Sequence, residues 1–503
     1  VVQGAYLVPV VPIAFRNVPA PFPAQAYQAV LFADPPVAAP YSVRSYYAEA
    51  SRGRLTLDGV VLGWTLADST DAYYEDGCNG IGVLTTCPHG GIRLGELLLE
   101  GLRQSDDGAV DWGAFDNDGP DGLANSGDDD GVVDFVIFLQ SEVDGACGTT
   151  NLWAHRYDLA AWNGGSPYVT RSPRRGADGL PIPGSFILVR DYTLQSAVGG
   201  PSACSADGIM PIGTVAHETG HAFGLPDLYD TNLRAAGPTQ GAGEWSIMGS
   251  GNYTQPYSPS AFDAWSLTEL GWAAVDTLSQ DRAASLAPTA SGDTVLYAAV
   301  PGTDEFFLFE NRQALGSDSA QINPFCQFRI RSCAKGPGLL IWHIDQGQID
   351  AHGFRQDNRV NSGTLHGVAL VQADGLNELR APGGKDRGDA GDPWPGSTGA
   401  SRFAPTTNPP ALDNQGRTTG FTLDSIRQLA PVGAIGFRFS LIPPGGVTLT
   451  LPWARDELLG HAVLGVAQQA YLDSLGNANG RYDVGDFLAY YRTQGQPAVG
   501  AAP

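Results

Sequence analysis

The chain is nearly without lysine: Lys335 and Lys385 stand beside 27 arginines among 503 residues. With 29 basic against 53 acidic residues the formal net charge is −24, a balance that phosphate backbones and anionic membranes repel. Nucleic acid is therefore not an expected partner. No apolar run approaches the roughly 18 residues of a membrane span, so none is expected. No cysteine pair forms C-x-x-C, which removes a cysteine zinc site or a thioredoxin-type centre. Glutamate is scarce too, 12 against 41 aspartates. Helix-surface acid is usually Glu, whereas Asp belongs to turns, caps and hard-cation loops. The imbalance points to loops and to calcium.

What is present describes an ordered, turn-rich protein. Hydrophobic residues make up 43%, aromatics 10% and charged residues only 16%, which excludes a disordered chain and allows two to four domains. The 65 glycines and 36 prolines suit many strands joined by turns. Six cysteines fall into sequential pairs, Cys78 with Cys87, Cys147 with Cys204 and Cys326 with Cys333. An even count without metal spacing favours disulfides and an oxidising compartment. Tyr6 to Phe15 is apolar and Ala24-Gln25-Ala26 resembles a cleavage box. Pro9, Pro12 and Pro19 interrupt the stretch and no basic segment precedes it, so it reads as a buried strand of a mature, exported chain.

Periodicity predicts strands at Val8–Phe15, Arg54–Val61, Val132–Leu139 and Ser185–Tyr192, with a leucine-rich helix at Ile92–Leu102. A helix from Pro211 is stopped by Gly224, and another is expected at Ser260–Leu270. Beyond residue 290 short strands dominate: Thr294–Ala299, Glu305–Glu310, Gly338–Ile344, Val368–Gln372 and Ile435–Leu441. Pro443-Pro444-Gly445-Gly446 reads as a linker to a helical appendage. The expected class is α+β, with an α/β-like N-terminal half. Residues 1–290 form the first domain, 291–445 a β-rich region continuous with it, and 446–503 a small helical module.

The chemistry concentrates at His217-Glu218-Thr219-Gly220-His221. Histidines at i and i+4 share one helix face and bring two imidazoles to one metal ion. Glu218 lies beside them, placed to take a proton from water without being a ligand. At this chain's own His and Glu frequencies the pattern arises by chance in roughly 0.003 of such sequences. A straight helix cannot return a third ligand to the same ion, so Gly224 must end it and turn the chain, with Asp227 as the favoured third ligand. Glu244 and Asp230 are its competitors. The spacing is the long metzincin consensus, aspartate replacing the last ligand, and Met248 in Ser246-Ile247-Met248-Gly249 sits where a methionine turn belongs.

His217–Asp230 (HETGHAFGLPDLYD), followed by Gly243–Met248 (GEWSIM), resembles the immune inhibitor A-like M6 family of secreted bacterial metallopeptidases. Ser42–Arg54, Val133–Phe138, Trp153-Ala154-His155, Pro259–Trp272, Phe307–Gln313 and Gly338–Asp345 share the likeness, which covers roughly residues 1–440. The resemblance implies a metzincin-type domain followed by β-rich sequence, one catalytic zinc, structural calcium, protein or peptide substrates and a form already freed of its pro-segment. One departure is Ser250, where several metzincins carry a tyrosine that stabilises the oxyanion; Tyr253 is a candidate substitute. Asp116, Asp118, Asp128, Asp130 and Asp134 resemble the family's cation loop, interrupted by an insertion at 120–127.

In the tail, placing Gly480 at loop position six puts Asn477, Asn479, Asp483 and Asp486 on ligand positions resembling a single dockerin-type EF-hand repeat. Leu475 then occupies position one, so the segment is expected either to bind a cation or to dock on the enzyme or on a surface partner. The leading expectation is a secreted zinc endopeptidase with a Glu general base. Its rivals are a calcium-stabilised extracellular structural or adhesive protein on the same scaffold, and a zinc hydrolase of a non-peptide polymer.

Overall fold

A computed structural model describes residues 1–493 apart from 38, 236, 254, 323–334, 430–432, 443–448, 462 and 478. Its fold mixes helices and sheets. The first sheet is built around Gly4–Ala14, which starts four residues before the expected strand. This strand pairs in parallel with Leu55–Val61 on one side and Val136–Gln140 on the other. Asp191–Ser196 follows in parallel and His155–Asp158 closes the edge antiparallel. Parallel strands buried on both faces read as near-continuous apolar runs, and the apolar stretch before Phe15 does so for this reason. Val8 and Val10 face one side with Ile212, Val215 and Ala216 of the helix Ile212–Ala222. Val11 and Ile13 face the other, against Leu94, Leu97, Leu98 and Leu102 of the helix Ile92–Ser105.

Two expected strands are each divided. Val132–Val133 pairs with Pro181–Val189, whereas Val136–Gln140 joins the main sheet. The chain changes sheet at Asp134, whose carboxylate accepts hydrogen bonds from the backbone and side-chain nitrogens of Asn117. Similarly, Pro181–Val189 and Asp191–Ser196 are separate strands broken at Arg190. The helix expected from Ser260 begins at Ala264, because Asp263 caps it by accepting from Ser266 N.

Later strands form a five-stranded sheet in the order Ala274–Thr277, Thr294–Ala299, Glu305–Arg312, Gly338–Asp345, Val368–Leu370. Strand alternation gives this sheet two buried faces. Phe307, Phe309, Leu339 and Ile341 pack with Phe421, Phe437 and Phe439 of a three-stranded sheet. Leu308, Leu340, Trp342 and Ile344 join the cluster that holds the helix Ile212–Ala222 and Met248. One apolar core therefore runs across residue 290. Cys78–Cys87 and Cys147–Cys204 are bonded; Cys326, Cys333 and the Pro443–Gly446 linker lie outside the described residues. The helices Leu451–Leu458, Val466–Leu475 and Val484–Thr493 gather around a small core of Ala454, Leu464, Leu472 and Tyr490.

A buried ionic tie fastens the later sheet beneath the methionine turn. Arg312, 1% exposed, holds both carboxylate oxygens of Asp318 at 2.6 and 2.7 Å and donates to the Trp245 carbonyl at 3.0 Å. Trp245 Nε1 in turn donates to Asp392 at 2.6 Å. Removing one partner of such a pair strands the other charge in the interior, at a cost of about 3–5 kcal/mol. Arg312→Met should lower the unfolding free energy by about that amount in a denaturant titration; a loss below about 1 kcal/mol would show that the tie is not a structural anchor.

Candidate metal centre

The helix Ile212–Ala222 starts after Pro211, whose missing N–H costs nothing at a helix start. Close neighbours require glycine inside it. A Cβ at Gly213 would meet the Asn252 carbonyl at 2.1 Å, and one at Gly220 would meet Met248 Sδ at 2.5 Å. Met248 thus lies directly against the turn that carries Glu218 and His221, fully buried. After Phe223 the chain enters a left-handed conformation at Gly224, φ +96°, and leaves the helix axis. That turn brings Asp227 back to the two histidines.

His217 Nε2 is 3.1 Å from Asp227 Oδ1, His221 Nε2 is 3.2 Å from the same oxygen, and the two Nε2 atoms are 3.2 Å apart. Each ring's other nitrogen faces a backbone carbonyl: His217 Nδ1 donates to Ile247 O at 2.6 Å and His221 Nδ1 to Leu225 O at 2.7 Å. A carbonyl can only accept, so Nδ1 carries the proton and each neutral Nε2 presents a lone pair. Three electron-rich atoms therefore face one another in a buried triangle that a cation or an added proton must bridge. Tetrahedral zinc, with bonds of about 2.0–2.1 Å, separates its ligands by about 3.3 Å. The triangle fits that ion, and its N, N, O donor set is one that zinc accepts.

Glu218 also brings a carboxylate oxygen within 4.8 Å of both histidines, as a further potential ligand. Asp227 is much closer, so Glu218 stands in the outer ring, 6% exposed, with Oε2 buried and unpartnered. Burial pushes the Glu218 carboxyl up to about 8, against the pull that a positive charge at His217 exerts. Burial would also raise Asp227, but positive charge at His221 first, then hydrogen bonds from both rings when protonated, holds that carboxyl far below its ordinary range; with the rings neutral, a cation in the triangle has to supply that charge. The competitors for the third position are engaged elsewhere. Glu244 pairs with Lys335 at 2.8 Å, and Asp230 accepts from the backbone of Asn232 and Thr239.

Comparison with known proteins gives the family. The model of the immune inhibitor A peptidase M6 catalytic domain matches residues 18–271, half of the chain. The chain belongs to this M6 family. Similar proteins include the pre-pro-metalloprotease PrtV of two Vibrio cholerae serotype O1 strains, M66-2 and El Tor Inaba N16961. Each is 28% identical over 259 residues, covering 48% of this chain and 25% of the relative. Immune inhibitor A of Bacillus thuringiensis subsp. alesti is 27% identical over 247 residues, 46% of this chain and 32% of the relative. The chain thus matches about a quarter to a third of these relatives' length.

Around the M6 centre the structure adds residues that spacing could not reveal. Tyr229, two positions past Asp227 in the LPDLYD stretch, lays its ring 6.2 Å from that of His217. Burial, then the charges of Asp227, Tyr253 and Glu218, hold its phenol well above the ordinary value, leaving a neutral donor. Ser250 is buried in the methionine turn, and its N–H donates to Gly243 O at 2.7 Å. Tyr253, by contrast, is 39% exposed. His155 donates to Trp153 O and meets the Tyr192 hydroxyl at 2.9 Å, the environment of a core histidine.

Of the aspartates expected at a cation loop, the structure brings Asp116, Asp118 and Asp130 within 4.8 Å of one another. Asp116 is fully buried and its Oδ1 has no partner. Burial first, then Asp129, Asp130, Asp118 and Asp134, push its carboxyl up to about 7. Asp128 turns away to Ser126 and the Asp121 N–H, and Asp134 is occupied by Asn117. The inserted segment re-aims Asp128, and Asn117, before that segment, takes Asp134; the spacing alone groups both with the rest. In the tail, Asn477 and Asn479 both donate to Asp483 Oδ2, at 3.0 and 2.9 Å. Asp486 accepts from the backbone of Asn477 and Asp483, so these four expected cation residues bond to one another.

Proposed function

We propose that the chain is a zinc-dependent endopeptidase of metzincin type. The observation that carries the reading is the buried triangle of His217 Nε2, His221 Nε2 and Asp227 Oδ1, with the unpartnered carboxylate oxygen of Glu218 beside it. His217, His221 and Asp227 hold the ion. Zinc, when bound, supplies Lewis-acid polarisation of the peptide carbonyl and acidifies water. Glu218 takes the proton of the attacking water and returns it to the leaving amine. Tyr229, whose ring lies beside His217, offers the hydroxyl donor for the carbonyl oxygen that Ser250 cannot supply.

The substrate's course follows from the sheet. His155–Asp158 pairs with a neighbour on one side and forms the end of the sheet on the other. A cleft of ≈ 830 Å³ runs past Arg156, Tyr157 and Asp158 to His221. An extended peptide pairs along such an edge through backbone hydrogen bonds, as strand addition requires. The disulfides Cys78–Cys87 and Cys147–Cys204 favour an oxidising, extracellular setting for the working enzyme. No helix among the described residues is long and apolar enough to cross a membrane.

Asp116, Asp118 and Asp130 take a structural calcium ion in this reading, because a buried carboxylate among four others is stabilised by a positive charge that calcium supplies in place of a proton. Two measurements test the assignments. Glu218→Ala should keep its zinc, read by metal analysis, and lose casein cleavage by at least about 10²-fold; undiminished cleavage would sink the peptidase mechanism. Chelation of calcium should lower the thermal midpoint of the intact chain, and Asp116→Asn should abolish that sensitivity. Equal midpoints with and without calcium would remove the calcium site.

A further inference from the structure

Asp227 lies on a loop after the motif helix, where Tyr229 also reaches its carboxylate, but the hydrogen bonds that hold both its backbone N–H and its Oδ2 come from outside the loop. The fixing comes from 131 residues away. Asn358 Oδ1 accepts the Asp227 backbone N–H at 2.8 Å, and Asn358 Nδ2 donates to Asp227 Oδ2 at 2.7 Å. Asn358 lies beyond the segment 18–271 that defines the family match. We propose that Asn358 is a positioning residue for the third metal ligand, clamping Asp227 so that Oδ1 alone is presented to His217 and His221. The inference rests on the zinc reading above.

The residue type follows from the task. Asp227 is only 7% exposed, so an Oδ2 without a donor would be a buried, unpaired acceptor. A side-chain amide offers a donor and an acceptor in one rigid plane, matching the N–H and the carboxylate of one residue. Asn358 also has φ +54°, a left-handed conformation that asparagine tolerates and most residues do not. Its own position is held because its carbonyl accepts from Thr231 Oγ1 at 2.8 Å and its N–H donates to Gly353 O at 3.1 Å.

The same segment meets the centre at two further points. The Phe354 ring lies parallel to that of His221, 5.6 Å between centroids and 8° between planes. The Arg156 guanidinium lies 4.7 Å from the Phe354 ring centroid and steadies the ring in turn. Asn361 Nδ2 donates to the carbonyl of Leu228, the residue after Asp227, at 2.9 Å. Residues 354–361 therefore support both histidine and aspartate ligands from outside the catalytic segment. Groups that orient ligands in this way typically change metal affinity by about 10–100-fold when removed.

The test compares full-length wild type, Asn358→Asp and Asn358→Gly, each stripped of metal and titrated with zinc against a chromophoric chelator. Asn358→Asp keeps the shape and the tolerance of positive φ but replaces the donor with an oxygen facing Asp227 Oδ2. Asn358→Gly keeps the backbone and removes the clamp. Both should bind zinc about 10–100-fold more weakly, while the unfolding midpoints of the metal-free proteins stay within a few degrees of wild type. Wild-type zinc affinity in either variant overturns the proposal. So does a fall in metal-free stability with zinc affinity unchanged, since that marks a structural anchor. Failure of the wild type itself to bind zinc would overturn the function reading and this inference together, an outcome distinct from the other two.

Discussion

Mutual repulsion among three lone pairs is the constraint around which the site is organised. Two neutral imidazole nitrogens and a carboxylate oxygen stand 3.1–3.2 Å apart in a buried space. Left without a cation or a shared proton, that arrangement would spread apart. It is held from several directions at once. The carbonyls of Ile247 and Leu225 fix the ring nitrogens, and the left-handed turn at Gly224 returns the chain. Met248 packs against Gly220, and Asn358 grips the carboxylate. Preorganisation of this kind means that metal binding has little conformational entropy left to remove.

The supports come from both halves of the chain, which explains why its apolar core does not stop at residue 290. Ile247 supplies a carbonyl to His217 while Trp245, two residues earlier, is fastened through its backbone by Arg312 and through its indole by Asp392. The sheet carrying Arg312 turns one face to the catalytic core and the other to a second sheet. The later strands are thus the floor on which the methionine turn rests. The M6 match covers His217, Glu218, His221 and Asp227, and the remainder of the chain supplies Phe354 and Asn358, which contact them.

How far the sequence could be read depended on sequence distance. His217, Glu218, His221 and Gly224 are legible because helix periodicity alone places them. The place of Asp227 beside the histidines follows from a spacing that ends one helix and begins one turn, whereas the other partners of Glu244 and Asp230, an ion pair and backbone N–H groups, have no signature in the spacing. Asn358 and Phe354 have no local signature, since their roles arise from packing between elements more than a hundred residues apart. The same limit explains the divided strand at Asp134 and the aspartates that leave the cation cluster. Alternation and spacing describe a continuous element, whereas a carboxylate such as Asp134, held by Asn117, redirects the chain.

X-ray absorption at the zinc edge of the purified, metal-loaded protein tests the central claim most directly. The account predicts one zinc per chain with two imidazole nitrogens and oxygen ligands at about 2.0–2.2 Å, and no sulfur. It also predicts that the imidazole scattering disappears with the metal in a His217→Ala, His221→Ala chain. A sulfur shell at about 2.3 Å, or a stoichiometry of zinc unaffected by loss of both histidines, would contradict it.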